Sequence, residues 1–243
     1  MSLPDAILLV GGQGSRVSHL YPDVPKPLIA FQGRPFLEWL LLWLVRQGVQ
    51  RVILAVGYRQ EKIRAYFEQC AQSIRDIECV YSEEKTPMGT GGAAIKASRL
   101  SESSRLLVLN GDSICLIDIN EFVQKSCAES TPVGMVCTKV PDVTRFGAVE
   151  CQSGRVVSFV EKGLLSGPGL INAGIYCIES SMLQSMPDEP KSLEYDLLPE
   201  WINRFSVYGH LSVSPFLDIG TPDSLHAVDT FLTRNRSEIW DAL

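Results

Sequence analysis

Hydrophobic positions along the chain alternate between two periods. Residues 6–10 form an unbroken apolar run that meets a glycine-rich stretch, the pattern of a parallel strand buried on both faces. Residues 51–56 and 105–110 repeat that pattern, and 77–81 adds a shorter run. Between them the apolar residues return at helical spacing. Residues 35–47 read as a helix with Pro35 in its first turn and Gly48 just past its end, 60–69 as an amphipathic helix, and 89–99 as a helix led by glycine. Strands alternating with helices imply right-handed βαβ units on a parallel sheet.

The second half has a different texture. Short strands are expected at 133–138, 147–151 and 156–161, with Ser153-Gly154 as the hairpin turn between the last two, and a further strand at 172–178. Residues 193–204 and 223–236 read as helices, the latter with Thr221 as N-cap and Pro222 at its first position. No internal repeat or low-complexity linker interrupts the chain. The fold expected is α/β: a Rossmann-like, mixed, mostly parallel sheet with helices on both faces, forming a single domain over 1–243.

Charge and cysteines narrow the functional classes. A net charge of −6 argues against a general nucleic-acid or anionic-membrane binder. The 7 cysteines are scattered without a C-x-x-C pair, as expected of free thiols in a reducing compartment. The N-terminus lacks the basic segment of a secretory signal. Residues 40–45 are apolar but far short of the ~18 residues of a spanning helix. A soluble, cytoplasmic protein is therefore expected.

The candidate chemistry begins where the first strand ends. Leu9 and Val10 lead into Gly11-Gly12-Gln13-Gly14-Ser15-Arg16, where α/β sheets bind ligands, and glycines let backbone N–H groups approach phosphate oxygens. A dinucleotide fingerprint fails because Val17 stands at the third glycine position, and a P-loop fails because no lysine follows Gly14. A third pattern fits: G-G-x-G-[ST]-R followed by Pro25-Lys26-Pro27. A triphosphate carries several negative charges, which Arg16 can fork onto and Lys26 can meet as a compact charge held on a proline-stiffened backbone. Read alone, both could be solvated surface cations.

On these motifs the sequence resembles the sugar-1-phosphate nucleotidyltransferases, from Ala6 to about Phe231. The resemblance implies a nucleotide-binding half at about 1–130 and a sugar-phosphate half at about 131–243. It implies catalytic roles for Arg16, Lys26 and Asp112, with Mg²⁺ held by Asp112 and Asp218. Asp112 ends an apolar strand in Asn110-Gly111-Asp112-Ser113, where a carboxylate can hold a hard cation, although either aspartate could instead cap a turn. Leu9, Gly11, Gly12, Gly14, Ser15, Gly89 and Thr90 would bind nucleotide. Asn110, Gly147, Glu161, Lys162 and Asn172 would bind the sugar phosphate. Glu194 and Asp196 stand at the start of a helix, where acids suit its dipole. His19, His210 and His226 share no motif and are read as non-catalytic.

The base is read from the segment beginning Glu83-Glu84. Relatives that take uracil or thymine often carry glutamine there. A carboxylate only accepts hydrogen bonds, which suits the adjacent N1–H and N2–H donors of guanine, so GTP is favoured, with either Glu83 or Glu84 facing the base. In this family's terms the chain looks most like the heptose 1-phosphate guanylyltransferases, with mannose-1-phosphate guanylyltransferases and short N-acetylmuramate-1-phosphate uridylyltransferases as rivals. Glycine in place of glutamine in Gly91-Gly92-Ala93 leaves room consistent with a larger heptose or a purine. The expected reaction is in-line attack of the sugar phosphate on the α-phosphorus with loss of pyrophosphate. The partners are then an NTP and a sugar 1-phosphate, with no nucleic acid or membrane, and homo-oligomerisation is left open. A non-catalytic nucleotide-sugar sensor is the alternative, and retention of Lys26, Asp112 and Asp218 argues against it.

Overall fold

The computed structural model describes residues 2–160 and 163–240 except 71–76, and for residues 69 and 70 only the backbone. In chain order the elements are β1 (Ala6–Leu9), a 3-10 turn (Lys26–Leu28), β2 (Ala30–Phe31), β3 (Arg34–Pro35), α1 (Phe36–Gln47), β4 (Arg51–Val56), α2 (Gln60–Cys70), β5 (Glu78–Glu83), α3 (Gly89–Ser98) and β6 (Arg105–Asn110). There follow β7 (Ser113–Cys115), α4 (Ile119–Ala128), β8 (Val133–Val140), β9 (Ala148–Gln152), β10 (Arg155–Val160), β11 (Gly169–Glu179) and α5 (Ser180–Gln184). A π-helical turn (Leu193–Leu197), α6 (Leu198–Arg204), β12 (Val207–Ser212), β13 (Phe216–Asp218), α7 (Pro222–Arg234) and α8 (Arg236–Ile239) complete the described chain.

One nine-stranded sheet carries both halves, in the order β5-β4-β1-β6-β11-β8-β12-β10-β9. The β5-β4-β1-β6 block is parallel throughout. Strand β11 runs against both β6 and β8, β12 returns parallel to β8, and β10 runs against β12 and β9. The sheet is therefore mixed, with all but β10 and β11 pointing the same way.

The pleat sends alternate residues to opposite faces, and each face has its own core. Ala6, Leu8 and Val10 join Val52, Leu54, Leu107 and Leu109 beneath α1, α2, α4 and α7. Ile7, Ile53, Ala55, Leu106 and Val108 pack on the other side against α3, α5 and α6. Continuous apolar strand runs were the sequence signature of this double burial.

Most expected elements are present with small shifts at their ends. Pro35 is the residue before α1, and Gly48 closes that helix in the left-handed conformation at φ 91°. Ser153 and Gly154 turn the β9–β10 hairpin with φ of 49° and 75°, the primed-turn geometry. Thr221 caps α7 through a capping box with Ser224. The expected helix at 193–204 is instead a π turn followed by α6. The π turn's i→i−5 bonds run from the Leu197 N–H to the Ser192 carbonyl and from the Leu198 N–H to the Leu193 carbonyl, and Pro199 follows in the first turn of α6, where a helix needs no N–H.

Candidate active site

A cavity of about 620 Å³ opens at the carboxyl ends of β1, β4 and β6. Leu9, Gly11, Gly12, Gly14, Ser15 and Arg16 form one wall, and Lys26, Asn110 and Asp112 lie on it too. The glycines are used for approach rather than for general looseness. Gly14 holds φ +61°, and a Cβ there would come within 2.9 Å of the Lys26 Cβ, so the loop can close over the lysine stem only as glycine. Lys26 is thereby 8% exposed, and its Nζ donates to Asp112 Oδ2 at 2.6 Å. The glycine loop, the Pro-Lys-Pro lysine and the strand-end aspartate thus meet in one place.

The two aspartates are joined by a strand pair that the sequence did not announce. Asp218 of β13 pairs with Ser113 of β7, and Ile219 N–H donates to the Asp112 carbonyl at 2.8 Å. Asp218 Oδ1 accepts from Arg145 Nη2 at 2.6 Å, while Oδ2 accepts the Gly220 N–H at 3.2 Å. The Arg16 guanidinium lies beside Gly220, where a Cβ would stand 3.1 Å from its Nη2. Arg16, Lys26 and Asp112 consequently line one end of the cavity, with Asp218 just behind the lining Gly220, and each aspartate is matched to a cation. Among the described residues no group of three or more His, Cys, Asp and Glu is arranged to hold a metal. Two carboxylates with oxygen donors suit a cation that takes its remaining ligands from phosphates and water.

The opposite end distinguishes Glu84 from Glu83. Glu83 is the outward residue at the end of β5, and its carboxylate pairs with Arg64 on the surface. Glu84 lines the cavity. Its Oε2 accepts the Met88 N–H at 2.9 Å, and its Oε1 lies where a Cβ on Gly11 would approach to 2.6 Å. Burial pushes the Glu84 carboxyl above the usual carboxylate range, opposed in part by the Met88 N–H and by Lys96. Glu83 therefore faces away from the cavity, and Glu84 is the carboxylate inside it.

The glycines of α3 do not leave space. A Cβ on Gly92 would stand 2.6 Å from the Glu189 carbonyl oxygen, and one on Gly89 would stand 2.5 Å from that of Lys191. The Lys191 carbonyl also takes the Gly91 and Gly92 N–H groups at 2.8 and 3.1 Å. Donors normally left unpaired at a helix start are already satisfied by the chain itself. The expected room for a larger sugar or base is filled by backbone. Thr90 lines the cavity, but its hydroxyl is committed, donating to Glu194 Oε2 at 2.7 Å and accepting from Leu193 N–H at 2.8 Å.

On the sugar side, Asn110 lines the cavity, and its Oδ1 is buried without a partner in the structure. Asn172 stands behind it. Its Oδ1 accepts the Gly174 N–H at 2.9 Å, and Gly174, at φ +74°, is pressed against the Asn110 amide. Gly147 is outside the cavity wall. It ends a turn whose Arg145 donates to Asp218. Glu161 and Lys162 lie outside the described residues. Gly57, Tyr58 and Gly220, which no motif marks as site residues, also line the cavity. Gly57 directly follows the apolar run of β4, so the rule that sites lie beyond parallel strand ends pointed to it.

The Nucleotidyl transferase family matches residues 5–235. The chain belongs to that family. The nucleotidyltransferase is 33% identical over 220 residues to the D-glycero-alpha-D-manno-heptose 1-phosphate guanylyltransferase of Aneurinibacillus thermoaerophilus, covering 90% of this chain and 94% of the relative. It is also 33% identical to the Drosophila melanogaster mannose-1-phosphate guanylyltransferase catalytic subunit beta, but spans 64% of that protein against 96% of its own length. Among solved structures it is similar to HddC from Yersinia pseudotuberculosis, with a TM-score of 0.85 at 31% identity over 94% of this chain and 99% of the other. HddC has also been solved complexed with GMP-PN. No helix of the nucleotidyltransferase, among the described residues, is long and apolar enough to cross a membrane.

Proposed function

We propose that this nucleotidyltransferase moves a guanylyl group from GTP to D-glycero-D-manno-heptose 1-phosphate, releasing pyrophosphate. The observation that carries the base is the Glu84 carboxylate in the cavity, with Oε1 turned towards Gly11. A carboxylate can accept both the N1–H and N2–H of guanine, whereas uracil and thymine would set carbonyls against it. The acceptor follows from the heptose guanylyltransferases matched over nearly their full length.

In this reading the sugar phosphate is already an ionised nucleophile, so no covalent enzyme intermediate is needed. Gly11 to Gly14 bring backbone N–H groups to the phosphates, and Lys26 and Arg16 stabilise charge gathering on the α-phosphoryl group and departing pyrophosphate. Asp112 and Asp218 would hold Mg²⁺, which when bound neutralises phosphoryl charge. The free cysteines among the described residues suit a reducing cytoplasm, and the product suits assembly of a surface glycan.

Pyrophosphate release, measured with each of four NTPs against heptose, mannose and glucose 1-phosphates in Mg²⁺, tests the proposal. Release confined to GTP with the heptose phosphate is the expected result. Release only with GTP and mannose 1-phosphate would overturn the acceptor and leave the base.

Replacing Glu84 by Gln should weaken GTP by about 10- to 100-fold, the equivalent of ~1.5–3 kcal/mol for hydrogen bonds to a charged group, while UTP changes little. The same carboxylate sets a pH dependence. Guanine donors bind its ionised form, so binding lowers its pKa, and affinity is lost as pH falls through the raised value of the free protein. GTP affinity should therefore begin to fall at a higher pH than an ordinary glutamate would cause. E84Q should flatten that limb of the profile, and an unchanged limb would remove Glu84 from the base site.

A further inference from the structure

Glu194 lies outside the cavity wall, yet it is bonded to groups from both halves of the chain. Its Oε2 accepts from Thr90 Oγ1 at 2.7 Å at the start of α3. Its Oε1 accepts from the Tyr176 hydroxyl on β11 at 3.4 Å. Tyr176 in turn accepts from Asn172 Nδ2, and Asn172 Oδ1 accepts the Gly174 N–H at 2.9 Å. The relay therefore runs from the cavity wall at Thr90 to Asn172, which holds Gly174 against the cavity-lining Asn110. It passes through a π turn, an irregularity often found at functional sites.

We propose that Glu194 is a positioning residue whose acceptor-only carboxylate, together with the Gly174 N–H, sets the direction of the hydrogen bonds in this relay and so fixes the Asn172 amide that backs Asn110 where the acceptor sugar phosphate would bind. The inference rests on the functional reading above. An ionised carboxylate obliges Tyr176 to donate to it, which leaves the phenol oxygen to accept. Asn172 must then turn its NH₂ towards Tyr176 and its carbonyl oxygen towards Gly174 N–H. Tyr176 is fully buried, and that burial, reinforced by Glu194, holds the phenol well above its usual pKa, so it remains a neutral donor. With glutamine at 194 a single oxygen must serve the donors that two carboxylate oxygens served: turned to Tyr176 it leaves the Thr90 and Ser192 hydroxyl protons facing an NH₂, and kept on Thr90 and Ser192 it sets the NH₂ against Tyr176. In the second case either the NH₂ meets the phenol proton, or Tyr176 reverses and Asn172 flips its NH₂ onto the Gly174 N–H. Each arrangement places donor against donor.

The test is a double-mutant cycle of E194Q and Y176F, read by pyrophosphate release and by calorimetry with GMP-PN. Expected is a roughly tenfold rise in acceptor KM for E194Q, the size of one misdirected buried hydrogen bond, with GMP-PN affinity within about twofold. In the Y176F background E194Q should add nothing further to acceptor KM. An unchanged acceptor KM in E194Q, a full effect persisting in Y176F, or an equal loss of GMP-PN affinity would each overturn the proposal. An inactive wild type would refute the functional reading instead. The relay is then read from the Asn172 side-chain amide resonance, assigned by its loss in N172A. That resonance should shift in both E194Q and Y176F, and its indifference to E194Q would overturn the relay on its own.

Discussion

Asp112→Asn should lower kcat by at least 10²-fold, of the order seen when one charge-stabilising group is removed from an active site, while changing nucleotide affinity only a few-fold. Asparagine keeps the shape and the backbone bond to Ile219, so the register of β7 on β13 is retained. It loses the negative charge that answers Lys26 at 2.6 Å and that would hold the divalent cation beside Asp218. Single-turnover pyrophosphate release and GMP-PN calorimetry separate the two effects. Turnover within threefold of wild type would assign Asp112 to turn capping.

Lys26→Met should cost about 10²–10³-fold in kcat. Methionine fills much of the lysine stem's place beneath Gly14, so thermal stability should change little, although Asp112 is left without its partner. Arginine should not rescue activity. The stem passes under a glycine at φ +61° whose missing Cβ is the only clearance, and a broad guanidinium cannot follow the same path. Rescue by K26R beyond a tenth of wild-type kcat would show that charge alone, not its placement, is what the site requires.

Much of this site could be read from residue order because the motifs are local. The glycine loop, Lys26 between its prolines and Asn110-Gly111-Asp112 each lie at a strand end, where the chain's own periodicity puts them. Asp218 was harder. Its motif makes good turn sense by itself, and only the β13–β7 pairing, between segments far apart in the chain, places it beside Asp112. Glu83 and Glu84 could not be told apart by composition, since the choice depends on which side of β5 the pleat turns each residue. Gly91 and Gly92 were misread for a related reason. A missing side chain signals empty space or close backbone, and the Glu189–Lys191 segment that fills the gap is a tertiary partner without a local signal. In α4, Asp118 accepts the Glu121 N–H as a helix cap, a start that the residue type alone makes legible.

Strand β11 also bears on how the chain reaches this structure. Its partners are β6, closed by Asn110, and β8, which begins at Val133, so the centre of the sheet waits for residues as late as Glu179. During synthesis at about 5–20 residues per second, the parallel block would stand for several seconds with β6 as an open edge. An unpaired apolar edge of that kind invites pairing with other chains. The early half should therefore be the chaperone-dependent stage of biogenesis, and a chain cut before β11 should aggregate rather than survive as a small nucleotide-binding fragment.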